Sequence, residues 1–255
     1  MQPTGAGTPS GEHTPGSDEA YPFGEPRCNG NAVRHHHHTA PSANQPLTND
    51  PSEVGPLTPD FELDEGAMLA AIEQHRPALT YIAYPNNPTA NLWDDGVIDR
   101  IVDAVGAQRG LVVFDEAYQP FASRSRMASL ARHDHVLVMR TLSKFGLAGV
   151  RLGYLCGAAA LIDEIDKVRP PYNVSVLNAE ATLFALEHAD EFARQAAVLR
   201  EERGRLQRVL AAMPGVQPFP SEANMILVRV PDSKRAFEGM KARGVLVKNI
   251  AGLHP

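Results

Sequence analysis

The sequence has few of the residues that mark several specialised protein classes. Its two cysteines, Cys28 and Cys156, are too few for a disulfide framework and fit a reducing, cytoplasmic setting. The net charge is −6 and the basic residues are dispersed, so we expect no nucleic-acid partner. No apolar run approaches the length of a membrane span, and the N-terminus has no apolar signal core. We therefore expect no membrane partner.

Composition changes sharply near Gly55. The residues before it are rich in Pro, Gly, Ser, Thr and Asn and show no hydrophobic period. Such a segment cannot bury enough apolar surface to offset the entropy of ordering it. Residues 1–56 are therefore predicted to be a disordered, low-complexity tail. The histidine run His35–His38 lies in this tail; it could bind a divalent metal adventitiously, but we predict no physiological metal site.

After Gly55 the hydrophobic pattern is typical of an alternating α/β protein. Strands are predicted over Leu79–Tyr84, Leu111–Phe114 and Val136–Met139, and helices over Glu65–His75 and Asp94–Gln108. Further helices are predicted over Ala159–Arg169, over Asn178–Met213 as one helix or two that meet near Asp190, and over Ser233–Arg243. Strands are predicted on either side of the last helix, over Asn224–Val230 and Gly244–Lys248. The Glu/Arg-rich stretch Arg200–Arg208 is interpreted as a solvated face.

Polar side chains follow each of the first three strands. Asn87 lies in the turn after the first strand, Asp115 and Tyr118 follow the second, and Lys144 lies in the loop after the third. Ligand sites in open α/β sheets lie outside the carboxyl ends of the strands. Ordinary alternatives exist, because Asp115 could cap a helix, Tyr118 could be a core residue and Asn87 could simply form a turn. Lys144 could be a surface lysine, but the combination favours a site.

The loop after the third strand contains the most specific chemistry. Thr141 and Ser143 precede Lys144, and Arg151 follows it. Hydroxyl groups and a guanidinium bind phosphate, and an amine beside that phosphate can react with an aldehyde. Pyridoxal 5′-phosphate (PLP) has both groups. The loop therefore indicates a PLP site.

These segments resemble the fold-type I PLP-dependent aminotransferases, and most nearly the histidinol-phosphate aminotransferase family. The resemblance runs from about Thr58 to the last residue, through Tyr84–Thr89, Asp115–Tyr118, Thr141–Lys144, Gly146–Arg151, Pro171–Val174, Ser221–Asn224 and Lys248–Pro255. It implies an α/β fold with a mostly parallel sheet. Residues 57–172 would form an incomplete large PLP-binding domain. Residues 173–255 would form connecting helices and part of a small α+β domain.

The resemblance also implies a role for each site residue. Lys144 would attach covalently to the cofactor and then act as the base of the reaction. Asp115 would keep the pyridine nitrogen protonated, and Asn87 and Tyr118 would hydrogen-bond the 3′-oxygen of the ring. The cofactor phosphate would be bound by Thr141, Ser143 and Arg151.

Two departures from the family pattern affect what we expect of the site. Ala90 stands where the family usually has glycine, so a turn with positive φ would be strained by about 1 kcal/mol. The resemblance also implies a longer protein, with an N-terminal part that stacks an aromatic ring on the cofactor and a C-terminal arginine that binds the substrate. We therefore expect a chain truncated at both ends, with weak or no turnover.

The implied reaction converts histidinol phosphate and 2-oxoglutarate into imidazole-acetol phosphate and glutamate, in histidine biosynthesis. The expected partners are these small molecules and a second copy of the chain, since the family forms homodimers. One alternative is another fold-type I PLP enzyme such as a phospho-amino-acid decarboxylase, which would release CO₂. The other is an inactive PLP-binding remnant.

Overall fold

The computed structural model describes residue 55 and residues 57–251. Apart from Gly55, the predicted tail 1–56 and its run His35–His38 lie outside the described residues. Within the described part of the chain, no helix is long and apolar enough to cross a bilayer.

A four-stranded sheet forms the centre of the structure, in the order β1 (Leu79–Ala83), β2 (Leu111–Asp115), β3 (Val136–Thr141) and β4 (Gly153–Gly157). The first three strands are parallel, and β4 pairs with β3 antiparallel. A parallel return needs a connection of about a dozen residues or more, usually a helix. The segment 142–152 is shorter and contains no α-helix, only a π-helical turn (Ser143–Leu147) and a 3-10 turn (Ala148–Val150). The sheet is thus mostly parallel, which confirms the predicted fold class.

Helices α1 (Glu65–His75) and α2 (Asp95–Ala107) precede β1 and β2, and α3 (Ala159–Lys167) follows β4. The first two begin at aspartate caps. The carboxylates of Asp64 and Asp94 accept hydrogen bonds from the N–H groups of Ala67 and Val97, which satisfies donors that the first helical turn leaves unpaired. These caps explain where both helices begin. The two predicted helices are confirmed to within a residue at each end.

The two faces of the sheet contribute to separate clusters of buried apolar side chains. One cluster includes Val112 and Phe114 with the buried face of α2. The other includes Val113 and Leu137 with Ile162 of α3. Alternate residues of β2 therefore face opposite layers, and a parallel sheet covered on both faces is typical of α/β proteins.

The C-terminal part contains α4 (Val176–Glu187), α5 (Ala189–Ala211), the short strands β5 (Gln217–Pro218) and β6 (Val228–Arg229), and α6 (Ser233–Lys241). The two-helix alternative is confirmed, with the break at His188. The predicted strand over Asn224–Val230 is reduced to β6. The division of the chain at residue 172 stays a prediction.

The strand predicted over Gly244–Lys248 is wrong. Gly244 has a φ of 79°, and the apolar side chains that follow it, Val245, Leu246 and Val247, are exposed. β6 already pairs with β5. Within residues 57–251, segment 244–248 pairs with no strand, and a strand needs a hydrogen-bonded neighbour as well as β-branched residues.

Tyr84 and Asp95 join the start of α2 to the end of β1. The buried Tyr84 hydroxyl donates to Asp95 Oδ1 at 2.8 Å, and Arg124 and Arg126 form ion pairs with the same carboxylate. Burial raises the pKa of Tyr84 well above its ordinary value. Burial alone would also raise the pKa of Asp95, but the Tyr84 hydrogen bond and the two arginines outweigh it and lower that pKa.

Replacing Asp95 with asparagine should lower the free energy of unfolding at about pH 7. It should also make that free energy depend less on pH in the acid range. Because the folded pKa lies below the unfolded value of 3.8, the stabilisation is present above that value and is lost as the pH falls through the folded pKa. Since the side chain is 42% exposed, we expect less than about 1 kcal/mol. Urea unfolding between about pH 5 and pH 2 measures the difference. Asp103→Asn, on the same helix, is the control; an equal change in acid sensitivity there would contradict this assignment.

Candidate active site

Asp115 lies at the carboxyl edge of the sheet, between two neighbouring strands. It is in register with Ala83 of β1 and Met139 of β3. The Tyr84 N–H donates to its carbonyl at 2.9 Å. Its side-chain Oδ1 accepts from the Ala117 N–H at 3.0 Å, so the carboxylate also stabilises the turn that follows the strand.

An amide, a phenol and an amine meet beside this edge. Asn87 Nδ2 donates to Tyr118 Oη at 2.9 Å across 31 positions of sequence. Lys144 Nζ lies 5.2 Å from the centroid of the Tyr118 ring, within the range of a cation–π contact. Tyr118 is buried, Lys144 half-buried and Asn87 exposed. The structure thus brings together three of the predicted site residues from the ends of all three parallel strands.

One hydrogen bond between the residues next to β3 and β4 closes the base of the Lys144 loop, and a second stabilises its first turn. The Leu142 N–H donates to the Leu152 carbonyl at 3.0 Å, and Thr141 Oγ1 accepts from the Ser143 N–H at 3.1 Å. Arg151, the residue before Leu152, is exposed and has a φ of 55°. Thr141, Ser143, Lys144 and Arg151 therefore belong to one loop at the carboxyl end of β3.

Ala90 adopts the left-handed backbone conformation that glycine, the usual residue of the family at this position, accommodates most easily. Its φ is 66° and it is fully buried. Its N–H donates to the Asn86 carbonyl at 2.8 Å, which closes the turn around Asn87. The condition under which we expected strain, a positive φ at Ala90, is therefore met. A non-glycine residue there costs about 1–2 kcal/mol.

Two residues that we had not predicted join the C-terminal part to the site loops. Glu222 accepts from the Ser123 N–H at 2.7 Å. Arg203 Nη1 donates to the carbonyls of Phe121 at 3.1 Å and Ala223 at 2.8 Å. Burial lowers the pKa of Arg203. Arg203 is therefore an exception to the prediction that Arg200–Arg208 forms a solvated face. The spacing of residues in the sequence could not have indicated its contacts, because the two carbonyls are far from it along the chain.

The residues present fit PLP. Tyr118 Oη already accepts from Asn87, so its own hydrogen can be donated to an oxygen of a ligand. The Asp115 carboxylate lies at the end of β2, three residues before Tyr118, where it could pair with a protonated ring nitrogen. The Lys144 amine lies beside the phenol ring. Thr141 and Ser143 before the lysine supply two hydroxyl groups, and Arg151 after it supplies a guanidinium; these groups suit a phosphate.

The mostly parallel sheet, with Asn87, Tyr118 and Lys144 brought together at its carboxyl edge, makes this chain an α/β protein that resembles the fold-type I PLP-dependent transferases. Residues 50–254 match the family model described as aminotransferase class I and II. The chain belongs to this family.

Relatives in the family share much of this sequence. The chain is 78% identical over 200 residues to the histidinol-phosphate aminotransferase of Methylibium petroleiphilum, covering 78% of the chain and 54% of the relative. It is 72% identical over 205 residues to that of Paracidovorax citrulli, with 78% and 55% covered. The chain thus spans about half the length of the curated relatives it matches.

Solved structures show the same fold. Histidinol-phosphate aminotransferase from Sinorhizobium meliloti, in complex with pyridoxal-5′-phosphate, superposes with a TM-score of 0.68 at 27% identity, covering 79% of this chain and 57% of that one. The L-threonine-O-3-phosphate decarboxylase from Porphyromonas gingivalis superposes with a TM-score of 0.59 at 20% identity, covering 69% and 55%. That second likeness concerns the fold alone.

Proposed function

We propose that this chain serves the PLP-dependent transamination of histidinol phosphate with 2-oxoglutarate, as part of histidine biosynthesis. The observation that carries the proposal is the placement of Lys144 Nζ over the ring of Tyr118, whose hydroxyl is hydrogen-bonded to Asn87. Identity of 70% or more to several histidinol-phosphate aminotransferases supports the choice of substrate. The decarboxylase alternative has only the shared fold in its favour.

In this proposal, each residue binds or orients one part of the site. Asp115 supplies a negative charge that favours the protonated form of a ring nitrogen, because opposite charges stabilise each other when water is partly excluded. Asn87 and Tyr118 bind the 3′-oxygen, and Thr141, Ser143 and Arg151 bind the phosphate. When bound, PLP supplies the aldehyde that takes up the amine and the ring that accepts electrons. The Lys144 amine would hold the cofactor through its aldehyde carbon and would take up the proton released from the substrate Cα.

The proposal includes a cytoplasmic homodimer. Helix α4 exposes a set of large apolar side chains, which supports a role in association because exposed apolar patches commonly mark interaction sites. The set comprises Val176, Leu177, Leu183, Phe184 and Leu186. The relatives are named for a biosynthetic reaction, and this supports a cytoplasmic location for the protein.

A single-turnover assay tests the proposal. Transamination transfers the substrate amine to the cofactor, so the PLP-loaded chain mixed with histidinol phosphate should form pyridoxamine phosphate, up to one per bound PLP. Chromatography of the released cofactor measures it. Phosphothreonine is the matched alternative substrate, with CO₂ release measured in parallel, and Lys144→Ala is the control. Bound PLP without pyridoxamine phosphate from histidinol phosphate, or CO₂ release from phosphothreonine, would contradict the proposal.

A further inference from the structure

One buried ion pair joins the two strand ends that bear the proposed cofactor residues. Glu116 directly follows Asp115 and lies two residues before Tyr118. Arg140 directly precedes Thr141 at the end of β3. The last register pair between β2 and β3 is Asp115 with Met139. Glu116 and Arg140 are each one residue beyond this last pair. Their side-chain contacts therefore add to the backbone hydrogen bonds that hold the two strand ends together.

The Glu116 carboxylate is completely enclosed and fully hydrogen-bonded. Its side chain is 0% exposed and that of Arg140 is 22% exposed. Arg140 Nε and Nη2 donate to Glu116 Oε2 at 3.0 and 2.8 Å. The Ser125 hydroxyl donates to Oε1 at 2.9 Å, and the Arg126 N–H donates to the same oxygen. Arg140 Nη2 also donates to Ser125 Oγ at 3.0 Å.

Stability alone gives little reason to bury these charges. Removing two charges from water costs several kcal/mol per ion. The attraction between the two charges offsets this cost only when their geometry is good. Well-packed neutral side chains at such positions are often as stable or more so. The pair adds a geometric constraint. Because the guanidinium donates two hydrogen bonds to one oxygen, it fixes the position of one strand end relative to the other.

We propose that Glu116 and Arg140 form a positioning clamp that sets the separation between the Asp115–Tyr118 segment and the Thr141–Lys144 loop, so that both contact one PLP molecule. The clamp rests on the proposed PLP function. Neither residue is catalytic. They act through Asp115 and Tyr118 on one strand end and through Thr141 on the other.

A double variant separates positioning from stability. Glu116→Gln with Arg140→Met removes both charges, while the glutamine carbonyl still accepts from Ser125 and from the Arg126 N–H. We expect a urea unfolding midpoint close to that of the parent. PLP affinity, measured by fluorescence titration, should fall about tenfold or more, because the two groups of residues would no longer be held in advance at the separation that one PLP molecule requires. The induced circular dichroism of bound PLP, at saturation, should also weaken.

The matched control is Glu65→Gln, which removes an ion pair with Arg100 at the exposed surface of α1 and α2 and should leave both signals unchanged. A double variant that keeps its midpoint and binds PLP within about twofold of the parent, with unchanged dichroism, would overturn the clamp alone. Failure of the parent chain to bind PLP through Lys144 would overturn the proposed function and the clamp with it. The single variant Glu116→Gln, which leaves Arg140 charged, should show the affinity loss together with a lower midpoint.

Discussion

Replacing Lys144 with alanine should abolish the covalent trapping of PLP by borohydride. Borohydride makes the bond between an amine and an aldehyde permanent, so the trapped cofactor reports which amine had reacted. Lys144 is half-buried and its Nζ lies beside the Tyr118 ring; Thr141 and Ser143, whose hydroxyl groups we propose for the phosphate, precede it in the same loop. Intact mass spectrometry of the reduced chain, followed by peptide mapping, should give one cofactor on Lys144 in the parent and none in the variant.

The control for this result is another lysine. Lys167 is 65% exposed and forms a surface ion pair with Glu164, so Lys167→Ala should keep the full label. Lys144→Ala should also keep its unfolding midpoint, because substitutions in partly exposed loops seldom change stability by more than about 0.5 kcal/mol. Equal labelling of the parent and Lys144→Ala would mean that PLP reacts with surface amines, and the proposed site would fail.

Replacing Phe114 with alanine should lower the free energy of unfolding by about 3–5 kcal/mol. Phe114, the fourth of the five residues of β2, is fully buried. It lies edge-on to the Tyr84 ring, with centroids 6.3 Å apart. The Arg126 guanidinium lies 5.4 Å from its ring centroid. Removing the ring takes away apolar contacts from several sides and leaves a cavity, which surrounding atoms fill only in part.

Urea denaturation followed by circular dichroism measures this loss, which is a large share of the roughly 5–15 kcal/mol that stabilises a typical domain. Tyr81→Ala is the matched control, because Tyr81 is an aromatic residue on the neighbouring strand that is 62% exposed. We expect about 0.5 kcal/mol or less there. Similar losses for the two variants would contradict the assignment of the core to the face of the sheet that packs on α2.

Local patterns account for the elements that were predicted well. The run Leu111–Phe114 is apolar and β-branched, and aspartate caps precede α1 and α2, so neighbouring residues contain the necessary information. The strand predicted over Gly244–Lys248 failed because its residues have β propensity without a partner strand in the described structure. The antiparallel direction of β4 also depends on the length of the connecting loop and on the neighbouring strand.

The sequence by itself determined which chemical groups follow the strands: an amide, a carboxylate, a phenol, and an amine among hydroxyl groups and a guanidinium. Each group follows from residue type and from distance along the chain to a strand end. The tertiary structure decided which of them meet. The Asn87–Tyr118 hydrogen bond spans 31 positions and the Glu116–Arg140 pair spans 24. Such contacts depend on strand order and register, which are set by packing between distant segments rather than by local preference.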